Sequence, residues 1–599
     1  MKKNLFNIIL VFAFYVLAGC QSDLMDTKPY GSIGSENMWA TENLCNKGVL
    51  GIYAQLRNAF VGQPNGGTSM GVYSVSEDGR DGTTPITGSS ASSSSGLFSS
   101  YWQQHYEGIS RANDAIQNLT NVPDNVISPE TRGRLIAESK ILRAYFYYRL
   151  NMVFKGVPIY LEVVDVSEYQ RPRNTEAEVW NQILTDLTDA INESSLPAKY
   201  ATGSADFGRV TKAVAYALRG KTYLWLKEWA NAEADFKQVG TAGHALYTGS
   251  GAQSYKMLFK EANEQSPEAV WSVQNIGLSG YGNDFTRRYG HRNVIQTGGW
   301  ATFIVNTDFV NTFEYADGTP FDWKKVFPDW DYETPAKNMV YFLRDNMTES
   351  EINTMTSRGA DMKHYLPVGN EARIKAVYNK RDPRLLQGII TPYSAIPGGM
   401  TVGIDLVYTL RWPYRGFDAA EPYDLRTDVN ARFHYLYRKF VMESTTEIPD
   451  RDYAPTDFPL IRYADVLLNL AEAQNEQNKT NEAVANVNLV RERAGIAPLN
   501  SNEATTVTGQ ADLRKRIQNE RRWELCGEAV TFFDEMRWKT YGTSTKFTGT
   551  QGEGGGHKHI WGSFQYANSW GGDNYYTWPI PAVERERNAN LTQNEGWQD

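Results

Sequence analysis

The chain has 599 residues with 69 acidic and 60 basic side chains, a net charge of −9. That length holds a large core and two to four domains. The acidic balance without a basic block excludes nucleic acid as a partner, and three cysteines are too few for a disulfide framework.

The chain opens with Lys2 and Lys3 and an unbroken apolar run from Ile8 to Ala18. Eleven residues fall short of the roughly 20 that span a bilayer, but they suit the core of a secretory signal. Leu17-Ala18-Gly19-Cys20 resembles a bacterial lipoprotein signal, with residues 1–19 removed and Cys20 acylated. The alternative is an ordinary signal peptide beside a coincidental cysteine. No other long apolar segment follows, so the mature body is expected to be soluble and held by its lipid. Residues 20–34, polar with Pro and Gly, read as a flexible tether.

Helical periodicity starts in the next segment. Cys45, Val49, Ile52, Leu56 and Phe60 recur at helical spacing, and Cys45 and Cys526 read as buried free thiols. Residues 61–98 form a long Gly- and Ser-rich loop. Trp102, Tyr106, Ile109, Asn113 and Ile116 share the next stripe, with Asn113 expected as a hydrogen-bonded core amide. Helices are predicted over 130–154 and 174–193, the second opened by a Thr175/Glu178 capping box. Tyr216, Gly220, Tyr223, Ala232 and Phe236 fall at tetratricopeptide spacings, with Arg219 and Val239 off the pattern. A second weak copy runs through Leu467, Leu470, Ala471, Ala483 and Val487.

Between the copies the character changes. Residues 271–455 lose helical periodicity and gain Gly, Pro, Asn, Asp and aromatics. The stretch is too long for a plain connection and too aromatic for disorder, so it reads as a loop-rich, partly β ligand-binding insert.

Four segments resemble the SusD/RagB family of outer-membrane lipoproteins: AESKILRAYFYYRLNMVFKGVPI (137–159), DPRL (382–385) followed by FPLIRYADVLLNLAEA (458–473), ERRWELCGEAVTFFDEMRW (520–538) and WPIPAVERERNANLTQNEGW (578–597). They stand in the family's order. Ala529 and Thr531 replace its usual Gly and Arg, and Glu595 its usual Pro. Read physically, these segments are structural: Arg521, Arg522, Glu524, Glu528, Asp534 and Arg537 are placed to form charge-assisted pairs at helix ends. The resemblance implies a mainly α fold, a scaffold of about four tetratricopeptide-like helix pairs. Residues 35–270 would be the N-terminal SusD-like region and 271–599 the C-terminal RagB/SusD region, its final part, 456–599, carrying the second repeat and the signature. It also implies a cell-surface protein of the outer membrane without catalysis or cofactor. Its partners would be an oligosaccharide and a SusC-type TonB-dependent transporter, which it caps as a hinged lid. In the RagB branch the ligand is peptide. Ser22-Asp23 resembles the surface-export signal of such lipoproteins.

The residues give little support to an enzyme. Gly67-Thr68-Ser69-Met70-Gly71 matches G-x-S-x-G, but no apolar strand leads into it. His557-Lys558-His559 lacks zinc-hydrolase spacing and reads as a polar loop. Glu77, Asp78 and Asp81, or Asp329, Asp331 and Glu333, lack the spacing of a calcium loop and read as solvated acidic turns. No metal is expected. A surface hydrolase and a pure assembly protein remain as alternatives.

Sugars present flat C–H faces and rims of hydroxyls, which suit aromatic platforms flanked by Asp, Asn and Arg. That mixture singles out Asp78 and Arg80 in the early loop. It also singles out Tyr281, Tyr289, Trp300, Trp323 and Trp330 in the insert, with Trp412 and Tyr414 in reserve. Asp78, Arg80, Tyr281, Trp300 and Trp323 are expected on one concave surface, whereas Trp102 and Trp271 belong to the core.

Overall fold

The computed structural model describes residues 38–63, 78–80, 84–293, 298–401, 403–416, 420–425, 432–444 and 451–598, with 78–80 and 400 as backbone only. The signal segment, Cys20 and the Gly67–Gly71 motif lie outside the described residues.

Ten helices build the scaffold: α1 (Glu42–Tyr53), α2 (Gly96–Asn121), α3 (Pro129–Phe154), α4 (Glu176–Asn192), α5 (Lys212–Leu226), α6 (Trp229–Thr241), α7 (Tyr463–Glu476), α8 (Thr480–Ala494), α9 (Gln510–Glu524) and α10 (Thr531–Trp538). The strands used below are β1 (Asp78–Arg80), β2 (Ala269–Val273), β3 (Phe303–Val305), β4 (Ala395–Thr401), β5 (Ile404–Thr409), β6 (Phe458–Arg462), β7 (Gly556–Lys558) and β8 (Phe564–Ala567). The fold is mainly α, and among the described residues its sheets have two or three strands.

Local signals set the helix ends. Thr41 caps α1, and Thr175 with Glu178 closes the expected capping box on α4. Cys45, Val49, Ile52, Leu56 and Phe60 are all buried, and Cys45 and Cys526 are interior thiols not joined in a disulfide. The helices stack in series, each of α2 to α6 on its neighbour, and α7 docks on α6 despite the long insert between them. Small residues permit the close approach. A Cβ on Gly220 would sit 2.7 Å from the Phe236 ring, and Ala471 and Ala483 are fully buried where α7 meets α8. Arg219, off the repeat pattern, joins α5 to α6 through both Asp235 oxygens at 2.7 and 2.8 Å.

The insert is closed at its base. Strand β2 at its start pairs antiparallel with β6 at its end, Trp271 opposite Ile461. This brings the buried Trp271 into the core and hands the chain directly into α7.

Beneath this junction the family segments meet in a buried ionic network. Arg462 bonds Glu268, Glu524 and Glu528 at 2.5, 3.0 and 2.8 Å. Arg384 bonds Asp382, Glu520 and Glu524 at 2.8, 2.7 and 3.0 Å. Arg493 bonds Glu268 and Glu524, and Lys439 bonds Glu528. Arg521 bridges Asp465 and Asp534, while Arg537 clasps Glu472. Burial alone would raise the Glu524 carboxyl, but Arg493, Arg462 and Arg384 outweigh it and hold it down at about 2. The charged residues of the motifs therefore join segments far apart in sequence.

Five expectations are corrected. Trp323 is 1 % exposed. Its ring lies parallel to Trp330 at 4.5 Å and edge-on to Phe342, with its Nε1 donating to Asn311. Trp330, also buried, continues the stack toward Tyr341 at 5.9 Å. Asp322, whose polarity beside Trp323 pointed to exposure, caps the short helix Trp323–Val326 by accepting from the Lys324 N–H. Tyr289 is buried on the last turn of the short helix Phe285–Tyr289, against Tyr437 and Phe303. None of these three rings offers a face to a ligand. Nor does the reserve Trp412, buried against Phe433 and Trp561, although Tyr414 is half-buried. His557-Lys558-His559 is no polar loop: its first two residues are buried in β7, Lys558 pairs Asp308 and Glu553, and His559 stacks on Trp561.

Candidate functional site

Trp300 and Tyr281 remain at the surface. Gly298 and Gly299 precede Trp300 for a steric reason. Gly298 has φ of +68°, and a Cβ on Gly299 would lie 2.0 Å from the Gly290 carbonyl oxygen. This close approach presses the loop onto the short helix Phe285–Tyr289, where the Trp300 N–H donates to the Arg287 carbonyl at 2.6 Å.

Trp300 is 36 % exposed. The guanidiniums of Arg287, Arg288 and Arg451 lie 4.8, 5.3 and 5.4 Å from its centroid. Asp284 accepts from Arg287 and Arg288 at 2.7 and 2.9 Å, Asp452 pairs Arg287 at 2.6 Å, and Arg451 donates to the Gly298 carbonyl. The ring is thus seated by cation–π contact on a charge cluster, with part of its surface left to solvent.

Tyr281 is 62 % exposed at the end of a loop that also exposes Ile276 and Leu278. Arg57 ties the loop down through the Gln274 and Gly282 carbonyls. Asn283 pairs antiparallel with Ala454, three residues beyond Arg451. Tyr281 and Trp300 therefore flank the same strip, 451–454.

Strand β1 carries the backbone of Asp78 and Arg80 alongside β3, with Asp78 opposite Val305 and Arg80 opposite Phe303, three residues from Trp300. Their side chains lie outside the described residues. On the other side β7 packs near β1 and pairs with β8, whose Phe564 and Tyr566 are exposed. Arg451, Asp452, Phe564 and Tyr566 escaped sequence reasoning. The period-two exposure of Phe564 and Tyr566 was a readable strand signal. The tie between Arg451 and Trp300 was not, because 151 residues separate them.

Among the described residues no group of three His, Cys, Asp or Glu side chains is placed to hold a metal. Asp331, from one acidic turn, bonds Lys337 and the Glu333 and Thr334 N–H groups instead. Burial, before any other cause, pulls His105 and His559 down to about 3, and His244 and His291 to about 4. All four are neutral at physiological pH, His105, His244 and His291 within the core and His559 half-buried.

A stacked-helix scaffold with an exposed aromatic and charged surface on its loop-rich half is the design of a binding protein. The chain belongs to the SusD family: residues 267–597 match that family, and residues 25–224 match the group described as starch-binding and associating with the outer membrane. The family consists of non-catalytic glycan-binding proteins. The chain is 26% identical to SusD-like protein P2 of Formosa agariphila, with 99% of each covered. Its fold resembles that of a SusD-like protein from Bacteroides fragilis, with a TM-score of 0.70 and 22% identity over 95% of this chain and 100% of that one. It also resembles a laminarin-binding SusD-like protein, with a TM-score of 0.60 and 20% identity over 93% of this chain and 100% of that one.

Proposed function

We propose that this chain is a cell-surface lipoprotein of the outer membrane that captures oligosaccharides and passes them to a SusC-type TonB-dependent transporter, closing over it as a hinged lid. Acylated Cys20 is its anchor and residues 20–34 the slack that lets the body swing. Family membership supports the class of activity, and the exposure of Trp300 and Tyr281, each tied to the strip 451–454, carries the assignment of the surface. Trp300 supplies a ring face for sugar C–H groups. The Arg287, Arg288 and Asp452 cluster around it, with Asp78 and Arg80 on β1, supplies hydrogen bonds to hydroxyls.

The test is calorimetry with a panel of soluble oligosaccharides, laminarin and starch fragments included, on the wild type and on a Trp300→Ala, Tyr281→Ala double variant. The variant should keep its circular dichroism and melting temperature while affinity falls at least ~10-fold, the equivalent of about 1.4 kcal/mol. Unchanged affinity rejects the surface. Capture of peptides from a peptide pool, with no glycan bound, replaces the saccharide reading with the RagB-like one. Co-purification with the transporter from solubilised outer membranes tests the partner.

A further inference from the structure

A second cavity has no part in the surface just described. A cleft of about 550 Å³ opens between α2, the segment 158–170 and the short helix Ala582–Arg587, within the ~300–1,000 Å³ typical of small-ligand sites. Its wall is a run of rings: Trp102 to Tyr106 at 5.0 Å, Tyr106 to Tyr160 at 6.1 Å and Tyr160 to Tyr169 at 6.3 Å between centroids. The hydroxyls of Tyr106 and Tyr160 are committed to the carbonyls of Pro158 and Tyr169, at 2.7 and 2.8 Å. Tyr169 is 51 % exposed and Val166 more so.

The segment that carries these exposed apolar groups is firmly held. Asn113 donates to the Tyr160 carbonyl and Arg143 to that of Leu161, while the Gln117 side chain accepts from the Val163 N–H. From the other end of the chain Asn588 donates to the Arg171 carbonyl and Asn590 to that of Gln170. An irregular strap fixed at five backbone points while presenting Val166 and Tyr169 outward is pre-organised for contact, which lowers the ordering cost of binding. The ionisable groups lining the cleft are Glu107, Glu162, Glu584 and Arg587, the last paired with Glu584 at 2.9 Å. Arg171 lies 3.9 Å from Glu162 and over the Tyr160 ring, so Glu107 leaves the cleft a net negative charge, which disfavours anionic ligands and accepts hydrogen bonds from hydroxyls or ammonium groups.

We propose that this cleft is a second saccharide-binding site, selective for neutral or amino-bearing sugars and closed to uronates and sulfated glycans. Tyr169, with the half-buried Tyr106 and Tyr160 beside it, stacks on the sugar C–H faces, and Glu107 and Glu162 accept hydrogen bonds from its hydroxyls. The proposal rests on the reading of the chain as a glycan binder.

Hydrogen exchange and calorimetry on the full mature chain test it, with laminarihexaose, maltoheptaose and chitosan hexamer as probes and hexagalacturonate as the acidic control. In a Trp300→Ala background a probe should still bind and slow amide exchange in 158–170. Adding Tyr169→Ala and Glu107→Gln should weaken that binding at least ~10-fold without changing the melting temperature, and hexagalacturonate should give no protection there. If Trp300→Ala leaves no protection in 158–170 while the wild type binds a probe elsewhere, or if hexagalacturonate protects the cleft equally, the second site is refuted and the first reading stands. If the wild type binds none of the probes, both fall.

Discussion

Glu524 sits where three family segments converge, and its replacement by glutamine tests whether the motif is structural. The carboxyl is fully enclosed and accepts from Arg384, Arg462 and Arg493. It is held at about 2, against an ordinary value of 4.5. At about 1.4 kcal/mol per pH unit, that difference is worth about 3 kcal/mol to the folded state. Breaking a buried pair by removing one partner costs ~3–5 kcal/mol, so the two figures agree. The sign follows from the depressed value: the stabilisation is complete above the unfolded carboxyl's 4.5 and is lost as pH falls toward about 2. Urea unfolding of Glu524→Gln should therefore show a loss of about 3 kcal/mol at pH 7 that shrinks steadily between pH 5 and pH 3. A loss under about 1 kcal/mol at pH 7, or one equal at pH 7 and pH 3, would mean that Glu524 does not hold the network together.

Other expectations follow from single positions. Gly220→Leu drives side-chain atoms into Phe236, whose ring stands only 2.7 Å from where a Cβ would fall, and should cost at least ~1–3 kcal/mol in thermal unfolding, with Gly220→Ala milder. The buried Asp457 and the half-buried Glu264 form an acidic pair, the Asp457 N–H donating to Glu264, and both carboxyls are raised, by desolvation first, with the Asp457 charge adding to the rise at Glu264. Raised carboxyls stabilise below their unfolded values and lose that contribution as pH rises through the folded ones. Asp457→Asn should therefore gain stability relative to the wild type between pH 5 and pH 8, and a constant difference across that range would refute the pairing. Cys20→Ala should keep sugar binding in calorimetry but leave the membrane fraction, and normal import by such a variant would overturn the role of the anchor. Trp300→Ala with Tyr281→Ala should lose glycan affinity in calorimetry without loss of melting temperature.

Much of the scaffold was legible from the sequence because its causes are local. The Thr175/Glu178 box, the stripe from Cys45 to Phe60 and the Gly220–Phe236 spacing act within a turn or two of one helix or between neighbouring helices, and the structure contains each of them. The motif charges were also readable as pairs, since so many Arg and Glu side chains inside helical segments with apolar stripes require partners.

The binding surface was another matter. Trp300 and Trp323 look alike in sequence, each an aromatic beside polar or Gly neighbours. Trp323 is enclosed because Trp330, Phe342 and Tyr378, up to 55 residues away, fold back around it. Trp300 stays open because two glycines press its loop against a helix end and leave its ring on three arginines, one of them from the far end of the insert. The cleft of Tyr169 is more distributed still, assembled from α2, the strap and the last residues of the chain. The repeat scaffold and the family follow from spacings and motifs within the chain. Which aromatics meet solvent follows from what the rest of the chain packs against each ring, and that packing is non-local.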